Sequence, residues 1–441
     1  MKIKSLLLGS VAAAGLSTGA FAADLGVLPS FDVCDELGMS GLTISSDENC
    51  LAISGGVTYK FAWGDYSTDG LPTGGEVEVL TSADTLDIIT ENGDTDWDSR
   101  VDAWLQFVGA APTDMGPAKA VIKLKATDQK IYRNAGEDAI TDPEFVPGTD
   151  AGSTTDGFVL DQAYVQIGDA SSFTLIAGKA DSIYADGDDE PLNFLGLFNS
   201  EAVDAGVGGN GGVDIETGGH VMQALVSVGD GVTIGGALEA LNFSEPDKAG
   251  TAVGVVSYAG DGISAHASFA ADGVLIGSID DWMVNAGFDG TFDNFRVVAA
   301  AYFDSSSYWN VLASASATFD IFTLAGSVEA TEDGDYGAGV SIAAAIVDDV
   351  VLSLGARYYY EDTGNDDSYE IAAKIEAPVT ETLTVAGTVG YINSDYSASD
   401  ALYGVAELAW APGGGFTATS AARVTSEGAY KLSTEITKEF N

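Results

Sequence analysis

Residues 53–63 read ISGGVTYKFAW, and their hydrophobicity alternates with a period of two. One parity is mostly apolar and consists of Ile53, Gly55, Val57, Tyr59, Phe61 and Trp63. The other parity is small or polar and includes Ser54, Gly56, Thr58 and Lys60. Because successive side chains of a strand point to opposite faces, this pattern predicts a β-strand with one apolar face and one polar face.

The same pattern recurs along the chain, at residues 100–107, at 120–126 and finally at Tyr430–Phe440. Short Gly-Asp turns such as 229–231 and 260–262 connect the segments on one side, whereas the connections 65–98, 129–155 and 181–217 are long. No stretch beyond the first residues is long and apolar enough for a spanning helix. Short turns at one end and long loops at the other are typical of outer-membrane barrels. We therefore predict an all-β fold, a closed antiparallel transmembrane β-barrel over residues 52–441 with an even strand number of 16–20.

Composition supports a fold with two unlike surfaces. The chain carries 17 Lys+Arg against 67 Asp+Glu, a formal charge of −50, and this excludes a nucleic-acid partner because phosphates are bound by basic side chains. It is nevertheless 46% hydrophobic, with a mean hydropathy of +0.15, which excludes an acidic disordered chain. A barrel with a lipid face and a water face reconciles the two properties.

The first residues predict export. Lys2 and Lys4 precede an apolar run that ends in the small-x-small sequence 20–22, so residues 1–22 are predicted to be a signal peptide. The two cysteines of the mature chain, Cys34 and Cys50, then form a disulfide in an N-terminal periplasmic segment, residues 23–51. With only two histidines and no catalytic arrangement of side chains, the chain is not expected to be an enzyme.

The N-terminal region resembles the opening of the alphaproteobacterial porins. The matching residues are the block 33–38 (VCDELG), then 48–57 (ENCLAISGGV) and Gly64-Asp65; the segment 158–179 is also similar, with DQAYV at 161–165 and AGK at 177–179. The resemblance implies a trimeric outer-membrane diffusion channel of sixteen strands whose third extracellular loop folds into the pore.

The candidate site is the lining of that pore. Basic residues lie on the non-apolar parity of the first three strands and of the last strand, namely Lys60, Arg100, Lys123, Lys125 and Lys431. The loop 181–217 contains no Lys or Arg, and its candidate constriction acids are Asp186, Asp188, Asp189, Glu190, Glu201 and Asp204. If the loop folds inward, acids face bases across the opening, and the resulting field favours polar solutes over apolar ones. The alternative is that the loop acids are only solvated.

These observations predict a porin for passive diffusion of small hydrophilic solutes and ions, with a preference for cations. It is expected in the bacterial outer membrane as a multi-pass homotrimer, in contact with membrane lipid and lipopolysaccharide. No cofactor or specific metal site is expected, although acidic loops could bind divalent cations loosely. The competing hypothesis is a secreted or surface acidic calcium-binding structural β-protein, which would bury the apolar stripes instead of exposing them to lipid.

Overall fold

A computed structural model describes residues 33–66, 95–132, 145–146, 158–185, 191–197, 212–242, 249–279, 281–347, 349–362, 364–394 and 399–440. The predicted signal peptide lies outside these residues. One short helix, α1 (Val33–Glu36), precedes the strands. The strands are β1 Leu42–Ser45, β2 Cys50–Asp65, β3 Asp96–Ala111, β4 Ala118–Tyr132, β5 Phe145–Val146, β6 Val159–Asp169, β7 Phe173–Ala180, β8 Gly219–Gly229, β9 Val232–Glu239, β10 Thr251–Gly260, β11 Ile263–Ala271, β12 Trp282–Phe292, β13 Phe295–Asp304, β14 Trp309–Phe319, β15 Phe322–Thr331, β16 Tyr336–Val347, β17 Val350–Glu361, β18 Asp366–Thr380, β19 Leu383–Ser394, β20 Ser399–Gly413, β21 Phe416–Thr425 and β22 Tyr430–Phe440.

The long strands form one closed antiparallel ring of twenty. Closure joins β2 to β22, with Tyr59 opposite Ile436, and this pairing of the first and last barrel strands confirms the predicted closed barrel. Closure is required because an open edge would leave backbone groups unpaired in hydrocarbon. The short strands β1 and β5 lie outside the ring.

The strand number is even and falls within the predicted range, but it exceeds the sixteen implied by the resemblance. Two alanine-rich stretches, 313–317 and 343–345, belong to separate strands, β14 and β16. The apolar alternation is weak in both, because the apolar face of 313–317 consists only of alanine and 343–345 has alanine on both faces, so the strand count is hard to read from the sequence.

The outer face of the ring is apolar. Val57, Val340 and Val389 are 50%, 61% and 65% exposed, as expected for side chains that face lipid. Aromatic pairs lie near both ends of the ring, for example Trp63 with Tyr430 and Phe295 with Phe319. The outer surface thus consists of an apolar band with aromatic residues at its two borders.

The N-terminal segment continues the wall where the last strand stops. Phe440 of β22 pairs with Gly55, whereas the start of β2 pairs with β1, with Leu42 opposite Ile53 and Ser45 opposite Cys50. The predicted disulfide between Cys34 and Cys50 is present and buried, and it ties α1 to the first residue of β2. It lies at the end of the ring that carries the short turns.

Candidate functional site: the barrel lumen

The strand registers place all five candidate basic residues on inner-face positions. Lys60 lies opposite Arg100, and Lys431 lies opposite Gly64. Lys125 and Lys123 lie opposite Trp104 and Gln106 of β3. Consecutive strands β22, β2, β3 and β4 therefore present one basic wall, defined here as Lys60, Arg100, Lys123, Lys125 and Lys431.

Carboxylates neutralise much of this wall, which the sequence reasoning missed. The Lys60 ammonium lies 3.5 Å from the Glu435 carboxylate of β22. Arg100 donates from Nε to both carboxylate oxygens of Asp102, at 3.0 and 2.9 Å. Lys431 has its ammonium 5.0 Å from the ring centroid of Tyr66.

Asp161 of β6 bridges the other two lysines. Its carboxylate oxygens lie 3.3 Å from Nζ of Lys123 and 3.2 Å from Nζ of Lys125. A β-bulge at Lys123 and Leu124 makes this possible, because β6 has one extra residue there and Asp161 has no partner in the ladder. Strict alternation could not have assigned Asp161 to the lumen, since a bulge is set by the pairing of two strands.

The connection 181–218 between β7 and β8 is named here the inward loop. Its described residues, 181–185, 191–197 and 212–218, lie inside the ring, as expected for the third extracellular loop. Three of its backbone amides donate to serine hydroxyls of three different wall strands. These contacts are Ala185 N to Ser268 Oγ of β11 at 3.0 Å, Leu192 N to Ser314 Oγ of β14 at 2.8 Å, and Phe194 N to Ser341 Oγ of β16 at 3.0 Å. Arg357 of β17 donates from Nη1 to the Leu197 carbonyl at 3.1 Å.

The returning part of the inward loop is held by the same wall. Val213 N donates to Oδ2 of Asp304 on β13 at 2.9 Å, and Thr251 of β10 donates to the Glu216 carbonyl at 2.7 Å. The described loop residues thus follow the inner wall from β9 to β17. In a ring of twenty strands this half lies opposite β2–β4 and β22, where the basic wall is located.

An apolar cluster lies between the inward loop and the inner wall. Leu192, Leu197 and Ile215 of the loop are 8%, 0% and 8% exposed. They pack with wall residues that include Val298 and Leu312. Tyr302 also joins this cluster and is 4% exposed, because its register position faces inward.

Tyr308, in the turn that joins β13 to β14, closes the cluster at the long-loop end. Burial raises the pKa of its phenol, and the charges of Asp333 and Asp335 raise it further. The phenol is therefore neutral over the physiological range, as its buried, apolar contacts require.

Six predicted constriction acids, Asp186, Asp188, Asp189, Glu190, Glu201 and Asp204, lie outside the described residues. The described neighbours 185 and 191–197 are anchored inside the ring. In the described part of the chain, no group of three or more His, Cys, Asp or Glu residues is placed to hold a metal ion. Over the same part, no helix is long and apolar enough to cross a membrane.

The fold and the lumen together define a transmembrane β-barrel whose interior is narrowed by its own loop. No protein-family model matches the chain. It is 27% identical to Porin Omp2b of Brucella canis and 28% identical to Porin Omp2b of Brucella suis biovar 1, in each case over 297 residues that cover 64% of this chain and 68% of the relative. These relatives confirm the resemblance to the alphaproteobacterial porins.

Solved structures similar to this chain are also porins. An anion-selective porin from Comamonas acidovorans matches with a TM-score of 0.37 and 12% identity, over 89% of this chain and 100% of that one. OmpF of Salmonella typhi, in complex with daunomycin, matches with a TM-score of 0.38 and 13% identity, over 90% and 100%. From the relatives and its own barrel, the chain is a multi-pass outer-membrane protein of bacteria with the architecture of a porin channel.

Proposed function

We propose that this protein forms a water-filled pore for passive diffusion of small hydrophilic solutes and ions. The observation that carries the proposal is the position of the inward loop, which is anchored along β9–β17 and faces the basic wall across the lumen. Because backbone amides and one arginine hold this loop to the wall, it narrows the pore at a fixed position. The apolar outer band does not favour the competing hypothesis of a secreted calcium-binding protein, since water would contact that band.

We further propose a preference for cations. Glu435 pairs with Lys60, Asp102 pairs with Arg100, and Lys123 and Lys125 share Asp161, so three carboxylates offset part of the positive charge of the five basic residues. The inward loop has acids without any Lys or Arg, and the whole chain carries −50. An uncompensated negative potential attracts cations at low salt, and screening weakens it once the Debye length falls to about 10 Å near 0.1 M.

Reversal potentials in planar bilayers test both proposals. We expect stepwise conductance increases, and under a salt gradient at low ionic strength a potential with the sign of cation selectivity that declines as the salt concentration rises. Absence of conductance steps would contradict the pore. Anion selectivity at low salt would contradict the balance of charges argued above and assign control to the basic wall.

The assembly is proposed to be a homotrimer in contact with outer-membrane lipid and lipopolysaccharide, as the resemblance implies. No resident cofactor is proposed, and loose binding of divalent cations to the acidic loops is a further part of the proposal. Extraction in mild detergent followed by electrophoresis with and without heating tests the trimer. A single band at the monomer position in both lanes would contradict it.

A further inference from the structure

Glu239, the last residue of β9, contacts both ends of the inward loop. At the entry, Ile183 N donates to Oε1 at 3.0 Å, and the Ser182 hydroxyl donates to Oε2 at 2.5 Å. At the exit, Gly218 N donates to Oε2 at 2.7 Å. One side chain therefore joins loop residues that are 35 positions apart in the chain.

The carboxylate is fully enclosed and its acceptor sites are all used. Glu239 is 0% exposed, and Gln223 of β8 adds a fourth bond, from Nε2 to Oε1 at 3.0 Å. Among the described residues, no Lys, Arg or His forms an ion pair with it. Four donors, two of them backbone amides, thus replace the water that a buried carboxylate loses.

The two ends of the loop also lie against each other, so their backbones have little room to move. The φ of Gly218 is +69°, a conformation that favours glycine, and a Cβ atom added there would lie 3.1 Å from the backbone nitrogen of Ser182. Gln223 fastens the entry a second time by donating to the Asp181 carbonyl at 2.7 Å. The carboxylate is therefore at the centre of a compact hydrogen-bond network between the loop and the wall.

We infer that Glu239 is a positioning residue that holds both ends of the inward loop to β9, an arrangement named here the clasp, and thereby sets the width of the pore. The apolar cluster and the serine contacts hold the middle of the loop, whereas Glu239 holds its two ends to one strand. The part of this inference that concerns pore width rests on the proposed function. The clasp itself does not depend on the proposed function and is tested separately.

Glu239→Gln is the informative variant because it keeps the size of the side chain. Glutamine has one acceptor oxygen and one NH₂ group, so in either orientation the NH₂ group faces one of the loop amides, Ile183 N or Gly218 N. One end of the loop is then released. Glu376→Gln is the matched control. Glu376 of β18 forms an ion pair with Lys374 and has no hydrogen bond or ion pair with the described loop residues.

The first measurement is proteolysis of the membrane-embedded protein by an endoproteinase that cleaves after Glu, because the loop contains Glu201 and Glu216, neither of them followed by Pro, but no Lys or Arg. We expect cleavage within residues 181–218, mapped by mass spectrometry, to be at least ten-fold faster in Glu239→Gln than in the wild type. Glu376→Gln should match the wild type. Equal rates in the two variants would overturn the clasp.

Ser182→Ala removes one donor and leaves both backbone amides bonded, so it should accelerate cleavage by a smaller factor. This milder variant keeps the inference testable if Glu239→Gln fails to assemble. Absence of any acceleration in Ser182→Ala, in that case, would count against the clasp.

The second measurement is single-channel recording. Glu239→Gln should show a broadened distribution of conductance and frequent sub-states, whereas Glu376→Gln should keep one sharp level. If the wild type forms no channel, the proposed function fails while the proteolysis result still stands. If proteolysis is accelerated but conductance is unchanged, the clasp exists and does not set the pore width.

Discussion

Asp161 shows how one residue can decide the charge balance of the lumen. Its carboxylate lies within about 3.3 Å of both Lys123 and Lys125, and the bulge in β6 directs it there. Without it, two ammonium groups would face the lumen with no carboxylate between them. The basic wall is therefore a set of ion pairs, and its net field depends on the acids that the strand registers bring to it.

Asp161→Asn is predicted to shift selectivity toward anions. Loss of one carboxylate raises the net positive charge of the wall by one, and for partly solvated charges we expect the cation-to-anion permeability ratio to fall by roughly two- to five-fold. Asp230→Asn, in a turn where φ is 51° and asparagine is tolerated, removes the same charge far from the wall. Reversal potentials that respond equally to the two variants would contradict the prediction.

The Arg357–Glu370 pair should contribute far more to stability than the Arg100–Asp102 pair. Arg357 and Glu370 are 6% and 0% exposed, and their closest atoms are 2.7 Å apart, whereas the Arg100 pair is 27% exposed on both sides. Arg357→Met would leave a buried carboxylate without its cation, at a cost of about 3–5 kcal/mol. Arg100→Met should cost about 1 kcal/mol or less. Urea unfolding in lipid vesicles, followed by tryptophan fluorescence, compares them, and similar midpoints would contradict the prediction.

At the scale of elements, β1 and its disulfide complete the wall beside the start of β2. The last strand ends at Phe440, opposite Gly55, so residues 50–53 pair with β3 on one side and depend on β1 for a hydrogen-bonded neighbour on the other. Replacing both Cys34 and Cys50 with serine opens a loop of 16 residues and should lower the free energy of unfolding by about 3 kcal/mol. The temperature at which the folded band is lost on electrophoresis should fall, and an unchanged temperature would contradict a stabilising role.

The wall requires glycine where it contacts residues 193–196 of the inward loop. A Cβ atom at Gly339 of β16 would lie against the Asn193 amide group and 2.9 Å from the Gly196 carbonyl oxygen. Gly339→Ala should therefore displace residues 193–196, lower the free energy of unfolding by about 1–3 kcal/mol, and alter single-channel conductance. Gly254→Ala is the control, because its Cβ would have no atom within 4 Å. A wild-type conductance level in Gly339→Ala would refute this contact.

At the scale of the whole molecule, the acids of the inward loop should dominate selectivity. Replacing Asp188, Asp189 and Glu190 with the corresponding amides removes three negative charges from a segment that has no basic residue. Cation preference should weaken most at low salt, where screening is least. If the reversal potential does not change between 0.01 M and 1 M salt relative to the wild type, these residues do not contribute to the field of the pore.

The sequence by itself determined the class of fold and the direction of most lumen side chains. Period-two alternation in segments such as 53–63 and Tyr430–Phe440 is a local property, and lipid on one side and water on the other leave one parity for each face. Lys60 and Arg100 could therefore be assigned inward, and a pair of cysteines in an exported chain could be assigned to a disulfide. The alanine-rich strands β14 and β16 are harder to recognise because alanine gives only a weak contrast between an apolar face and a face of small or polar residues.

The tertiary structure alone decided which groups meet in the lumen. Asp161 reaches two lysines through a bulge, and Glu239 joins Ile183 to Gly218, but neither contact has a periodic signal in the chain. Ser268, Ser314 and Ser341 are ordinary polar residues of their strands until the loop amides reach them. The physical reason is that alternation specifies the face on which a side chain lies, whereas register, ring closure and loop path specify its neighbours.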